Sequence, residues 1–402
     1  MKVLQINALF GNKSTGTIMR HIQDCCFNYG IDGFVSFSYA DRPINEIRNA
    51  YQIGNKFFAK THAALSRIGG KQAYFSYLPT LIFLRYLDRV KPDLVHLHNL
   101  HNNYIHLNLL LSYLAEKDIV TIITMHDCWY FTGGCTHYTN IGCDRWLKKC
   151  GNCPLPKSES AALIYDASSS ILRDRDKYLN AIPRLTMVGC SEWIANECRK
   201  SVLKNRDIRF IHNGFDLNIF RPRESSLRKD LNLENKYVIL APAIKWLLPI
   251  NKETFDYFKN NIPSDTVLVL FGCSKINDGL PQNVVQIGYT KSAIQMAELY
   301  SMADVMVNCS REDTLSSLNL EAQACGTPVV TYEATGSKET VNSICGFAVE
   351  TGNHVKLFDK VLEIKKSGKQ AYTSNCISWV AENFEMNSSY KKYIELYKEL
   401  CK

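Results

Sequence analysis

The sequence predicts a parallel α/β protein built from two doubly wound domains. Three observations carry that reading. Short β-rich runs alternate with helical stretches from one end of the chain to the other. Two of the runs end in polar residues, His96, His98 and Asn99 in one case and His126 and Asp127 in the other. Polar residues just past the carboxyl ends of parallel strands are where open α/β sheets bind ligands. The alternation is interrupted once, around Pro222, by a segment with the character of a linker.

Taken in order, residues 2–7 read as a strand that leads into a loop over 11–16, and 17–29 as a helix. Residues 93–98, led by Lys91-Pro92, 119–125 and 185–189 are the next strands, and Ser191 is the expected N-cap of a helix through Cys198. Residues 209–211 open the second half and turn at His212-Asn213-Gly214. Strands then follow at 238–241, 267–271, 284–287, 305–308, 328–332 and 346–349. The last segment, 387–402, is rich in Tyr, Leu and Lys and reads as an amphipathic helix. The expected domains are 1–205, joined by a C-terminal helix over 386–402, and 206–385.

The chain has 402 residues, 46% of them hydrophobic and 21% charged, which excludes a disordered or fibrous protein and allows two or three cores. Its net charge of +8 is unevenly placed. Residues 1–200 hold 23 Lys+Arg against 16 Asp+Glu, and 201–402 hold 24 against 23. The first half also carries eight of the ten histidines. A surplus of this kind suits an anionic small molecule or an anionic membrane surface. No short Lys/Arg-rich tract exists, so nucleic acid is not an expected partner. No run of 18 apolar residues exists either, the best stretch (77–87) being broken by Arg85. The first residues are too polar for a signal peptide, so a cytoplasmic location is expected. Fifteen cysteines in such a chain read as thiols or metal ligands rather than as a disulfide framework.

The most informative stretch is 303–330: a strand, an acidic loop, a helix ended by Gly326, and another strand. Asp313 and Glu321 lie eight positions apart, with Asp313 in the loop and Glu321 expected about two turns into the helix. Thr314, Leu315, Ser316 and Ser317 are expected to open that helix, where free N–H groups receive phosphate or sugar oxygens. A carboxylate deeper in the helix can accept both hydroxyls of a ribose.

Here the chain resembles the retaining family-four glycosyltransferases of GT-B fold, in which two glutamates separated by seven residues precede a glycine-proline-valine turn. The resemblance extends in order along nearly the whole chain. It takes in the early Gly-rich loop, Leu94-Val95-His96-Leu97-His98-Asn99, Thr124-Met125-His126-Asp127, His212-Asn213-Gly214-Phe215-Asp216 and Gly336-Ser337-Lys338-Glu339. It implies two Rossmann-like domains facing a cleft, with the C-terminal helix crossing back to the first domain, and a sugar moved with retention from a UDP- or GDP-linked donor.

The resemblance also implies roles. Glu321 would hold the nucleotide ribose, and Asp313 would stand near the donor sugar, in place of the first glutamate. His126 would contact the donor sugar, with Asp127 fixing its tautomer, and His98 would lie on the acceptor side. Thr15 and Gly16, in the first strand-to-helix loop, would approach the donor phosphates. The family places an Arg and a Lys after the first strand of the second domain, and this chain lacks the usual Lys-Gly pair there. Lys245 and Lys252 are its available cations. The resemblance implies no catalytic metal, the leaving diphosphate being neutralised by Arg, Lys and helix dipoles, and no strong protein base, because in a front-face mechanism a donor phosphate oxygen takes the acceptor proton. The acceptor implied is a saccharide, often lipid-linked, of a cell-envelope polysaccharide, reached in peripheral contact with an anionic membrane.

After His126 comes a cysteine-rich segment that a resembling subgroup shares, with Cys135, Cys143, Cys150 and Cys153 separated by seven, six and two residues. Four thiolates can hold a structural Zn²⁺, which would leave no open position for catalysis. Reduced thiols and disulfides are the alternatives. Trp129, Tyr130, Phe131, Tyr138 and Trp146 interleave the segment as core residues, with one or two available to stack on a sugar. Arg145, Lys148 and Lys149 meet phosphate, headgroups or solvent. Two other functions fit the same fold: a nucleotide-sugar epimerase, and a non-catalytic binding subunit that has lost its donor cations.

Overall fold

The computed structural model describes residues 1–155, 164–276 and 279–402. These form two compact units, Met1–Asn213 with Ser389–Lys402, and Gly214–Ser388.

In the first unit, seven strands make one parallel sheet: β1 (Lys2–Phe10), β2 (Asp32–Ala40), β3 (Ala50–Gln52), β4 (Leu94–Leu97), β5 (Val120–Met125), β6 (Leu185–Gly189) and β7 (Asp207–Phe210). Their order is β3-β2-β1-β4-β5-β6-β7, so the direction of winding reverses between β1 and β4. Every residue of β4, β5 and β6 is buried, as expected of strands covered by helices on both faces. β2 and β3 escape the sequence reading because Ser36 and Ser38, both buried, interrupt the apolar run of β2. β7 pairs with β6 in parallel, Met187 against Ile208. The strand that was expected to open the second domain therefore completes the first sheet, and the first unit runs on to Asn213.

The helix Met386–Leu400 begins at the residue where the C-terminal helix is expected. Beyond Ser389 it belongs to the first unit, where Tyr390, Tyr393, Ile394 and Tyr397 are buried. The Tyr397 hydroxyl lies 2.6 Å from His96 Nδ1, and that of Tyr393 lies 2.9 Å from Thr124 Oγ1. Arg209 grips Glu399 through two nitrogens at 2.9 and 2.7 Å. The chain terminus is thus tied to the middle of the first sheet by its buried tyrosines and to the edge strand β7 by a two-pronged ion pair.

The second unit carries six parallel strands: β8 (Tyr237–Pro242), β9 (Thr266–Phe271), β10 (Val284–Ile287), β11 (Val305–Asn308), β12 (Val329–Tyr332) and β13 (Gly346–Val349). Their order is β10-β9-β8-β11-β12-β13, with winding reversed between β8 and β11. One face packs on Trp246, Phe258, Leu357 and Tyr332, the other on Leu240, Tyr300, Met306 and Ala322. Gly346 has φ +152°, and a Cβ there would fall 1.9 Å from the Val329 carbonyl oxygen, so β13 can approach β12 only as glycine. Among the described residues no helix is long and apolar enough to cross a membrane.

Candidate functional site

Within each unit, the polar residues singled out in the sequence gather where the winding reverses. In the first unit, β1, β4 and β5 are neighbours and deliver Gln5, His96, His98, His126 and Asp127 to one region. His98 Nδ1 lies 3.1 Å from His126 Nε2, and His98 Nε2 lies 3.1 Å from Gln5 Oε1. His96 spans Tyr397 and Thr124. Burial disfavours the charged imidazolium, pulling His126 down to about 4 and His98 well below the usual histidine range. All three histidines are therefore neutral at pH 7, His96 being pulled to about 3 by the same cause.

Asp127 does not hold His126, contrary to the sequence expectation. Its Oδ2 faces His101 Nε2 at 3.1 Å and its Oδ1 accepts from the Trp129 amide at 2.9 Å. The carboxylate caps the short turn Cys128–Phe131, and hydrogen bonds from His101 and this amide keep it ionised below the ordinary Asp range despite burial. Thr15 and Gly16 are not in the loop either. The helix begins at Lys13, which places them in its first turn. The Gly11 amide donates to the Gly16 carbonyl at 2.9 Å, and Asn7 Nδ2 reaches the Leu9 carbonyl at 2.8 Å and Thr15 Oγ1 at 3.4 Å. A Cβ on Gly16 would stand 3.2 Å from the Leu9 backbone carbon.

The aromatic residues of the following segment are buried, all five at 6% exposure or less, so none presents a ring for stacking on a sugar. Trp129 instead carries the guanidinium of Arg175 over its ring at 3.5 Å. Arg175 is buried, and its three guanidinium nitrogens find no hydrogen-bond partner among the described residues.

The four cysteines line one small cavity with Gly133, Tyr138 and Trp146. Burial raises the thiols of Cys135 and Cys150 to about 12 and 11. Among the described residues, no three His, Cys, Asp or Glu side chains are arranged to hold a metal ion. None of the four is joined in a disulfide.

In the second unit, the helix that follows the acidic loop is shorter than expected, Ser317–Ala324. Ser316 is its N-cap, Thr314 and Leu315 precede it, and Glu321 sits one turn in rather than two. The cause is Asn308 at the end of β11. Its Nδ2 donates to Ser316 Oγ at 2.9 Å and Asn319 Oδ1 at 3.0 Å, and its Oδ1 accepts from the Ser310 amide at 3.0 Å. One buried amide side chain thereby sets where the loop closes and the helix starts. Asp313 is clamped through its backbone: its amide donates to Thr335 Oγ1 at 2.9 Å, and its carbonyl accepts from that hydroxyl at 2.6 Å and from the Gly336 amide at 3.0 Å.

Glu321 is half-buried and accepts from the Tyr300 hydroxyl at 3.0 Å. Burial raises its carboxyl to about 7, the tyrosine pulling the other way. Lys245 Nζ lies 3.5 Å from the Glu312 carbonyl, within the same loop neighbourhood. Lys252 takes a different course. It is exposed and ion-paired with Asp256 on its own helix. A cation that the sequence reading missed, Arg311, is held by Asn251 Oδ1 at 3.0 Å, and Asn251 also donates to the carbonyls of Lys245 and Cys309. Gln5, Tyr300, Asn308 and Asn251 share the signal that could have found them: a polar residue inside or just after an apolar run, which must be paired when buried.

Residues 58–219 match the pattern described as "Glycosyltransferase Family 4", and residues 252–367 match "Glycosyl transferases group 1". Two such matches on two parallel-sheet Rossmann-like domains define the class: the chain is a glycosyltransferase of GT-B type. Among curated proteins it is similar to the N-acetyl-alpha-D-glucosaminyl L-malate synthase of Bacillus anthracis, 23% identical over 189 residues. That match covers 44% of this chain and spans about half (49%) of the relative. Among solved structures, sucrose-phosphate synthase from Thermosynechococcus elongatus superposes with TM-score 0.67 at 15% identity, over 99% of this chain and 98% of that one. Anabaena HepE in complex with UDP gives 0.66 at 15% identity, over 99% and 100%. WaaG, a glycosyltransferase involved in lipopolysaccharide biosynthesis, gives 0.64 at 11% identity, over 98% and 99%.

Proposed function

We propose that this glycosyltransferase moves a hexosyl group, with retention, from a nucleotide-sugar to a saccharide acceptor carried on a lipid, in the assembly of a cell-envelope polysaccharide. The observation that carries the donor half is Glu321, a half-buried carboxylate one turn into a helix whose N-terminus follows the clamped Asp313 loop. When ionised, Glu321 accepts the ribose hydroxyls. The N–H groups at Ser316 and Ser317, with Lys245 and Arg311, offset the diphosphate charge. Asp313 lies toward the sugar. HepE has been solved with UDP and with UDP-glucose, which makes UDP-linked sugars the first donors to test.

In the step itself, the bond between the anomeric carbon and the diphosphate oxygen breaks. The acceptor oxygen bonds to that carbon on the same face, and its proton passes to a phosphate oxygen of the departing nucleotide. His126 in the first unit takes the sugar side, backed by the buried His98, and Asp127 lies on the acceptor side. The basic surplus of that half serves the anionic lipid carrier and membrane surface.

Incubation with a panel of UDP- and GDP-sugars, followed by thermal shift, tests the donor half, because a bound donor raises the melting temperature by mass action. Stabilisation by one sugar nucleotide is expected, with free nucleotide released only when acceptor is added. Conversion of the donor into an isomeric nucleotide-sugar without acceptor would replace this reading with an epimerase. The absence of binding at millimolar concentration would replace it with a binding subunit.

A further inference from the structure

We propose that Gln5 is a positioning residue that locks His98 and His126 in their Nε2–H tautomers, so that His126 presents Nδ1 as a hydrogen-bond acceptor. The backbone carbonyl of Met19 can only accept, and Gln5 Nε2 lies 3.2 Å from it. Gln5 Nε2 therefore donates there, and turning the amide over would set two oxygens against each other. That leaves Gln5 Oε1 facing His98 Nε2 at 3.1 Å. A carbonyl oxygen has no proton to give, so His98 carries its proton on Nε2.

His98 is completely buried and, as burial holds it neutral, has one ring proton only. Its Nδ1 is then a bare acceptor, 3.1 Å from His126 Nε2. His126 must donate across that contact from Nε2. Being neutral too, it keeps Nδ1 bare. The direction of the whole chain, from His126 through His98 and Gln5 to Met19, is set at its far end by a carbonyl of the helix Lys13–Asn28. Asp127 is excluded from this role, because its oxygens serve His101 and the Trp129 amide.

The lock has a consequence for recognition. A ligand group that meets Nδ1 of His126 must donate a hydrogen bond, as a hydroxyl does. A carbonyl or carboxylate oxygen in the same place would face a lone pair. Naming that group as a sugar hydroxyl rests on the glycosyltransferase reading, but the tautomers do not.

The test is a long-range ¹H–¹⁵N correlation spectrum of the full chain labelled with ¹⁵N-histidine at pH 7. Signals are assigned by their loss in His98→Gln and His126→Gln. Nε2–H patterns for both residues are expected in the unaltered protein, and an Nδ1–H pattern for His126 overturns the proposal. Gln5→Met removes the acceptor while keeping the length of the side chain. In that variant His98 and His126 are expected to shift to Nδ1–H, and kcat to fall at least tenfold with unchanged nucleotide affinity. An unchanged Nε2–H spectrum in folded Gln5→Met also overturns it. Should Gln5→Met not fold, the spectrum of the unaltered protein still decides. A protein with the expected tautomers but no transferase activity would refute the proposed function and leave the lock standing.

Discussion

The hydroxyl of Tyr300 donates to Oε2 of Glu321 at 3.0 Å, joining the helix Ala293–Met302 to the helix Ser317–Ala324. Tyr300 is fully buried and Glu321 half-buried, and the pair opposes two effects on one carboxyl. Burial raises its pKa to about 7, and the tyrosine O–H favours the ionised form.

That balance makes donor binding depend on pH. The ribose needs an acceptor, so affinity for a UDP-sugar is expected to rise as pH increases through about 7, where Glu321 loses its proton. A nucleotide diphosphate diester does not titrate there. Glu321→Gln should flatten the profile and weaken binding about tenfold, or ~1.4 kcal/mol. Tyr300→Phe removes the bond that favours the carboxylate and should move the rise to higher pH. Calorimetry from pH 6 to 8.5 checks all three. The stability effect has the opposite sign: a raised native pKa means the folded state holds the proton more tightly, so stability is lost as pH rises from about 4.5 through 7. Glu321→Gln should therefore gain on the unaltered protein above pH 7.

The clamp on Asp313 gives a second expectation. Thr335→Val keeps shape but removes the hydroxyl that both accepts from the Asp313 amide and donates to its carbonyl. Turnover should fall about tenfold, with a loss of global stability of roughly 1–2 kcal/mol for the two bonds. Steady-state kinetics beside urea denaturation separates the two. A large stability loss with full turnover would show that the clamp serves the fold alone.

Gly16 offers a steric test. Its substitution by Ala sets a Cβ 3.2 Å from the Leu9 backbone carbon and 3.3 Å from the Gly11 amide nitrogen, neither of which can yield like a side chain. Gly16→Ala is expected to cost about 1–3 kcal/mol through overpacking, despite the better helix propensity of Ala. Equal or higher stability in chemical denaturation would contradict that.

Arg175 should behave in the opposite way to an ordinary buried residue. Its charge is removed from water without a hydrogen-bond partner among the described residues, offset by Trp129 at 3.5 Å. Desolvation of an ion costs several kcal/mol, and a desolvated cation–π contact returns about 2. Arg175→Met, which keeps the volume, is expected to be at least as stable in thermal denaturation. Trp129→Ala, which opens a cavity, should lose ~3–5 kcal/mol.

Much of this molecule follows from local pattern. The alternation of apolar runs and helices was sufficient for two parallel sheets, because strands buried on both faces leave a continuous apolar record. Polar residues at strand ends marked His98, His126 and the Asp313–Glu321 stretch for the same reason, since polar groups at the end of a buried strand are set apart by composition alone. Tertiary structure decided what those residues touch. Asp127, adjacent to His126 in sequence, turns to His101, whereas Gln5, 93 positions before His98, governs the histidines. Lys252 is neutralised by Asp256, and Arg311 is held by Asn251. The helix carrying Glu321 starts where Asn308 caps the loop, later than propensity suggests. Hydrogen-bond direction and partner choice depend on which strands become neighbours, and the order of strands in a sheet is written in no single stretch of sequence.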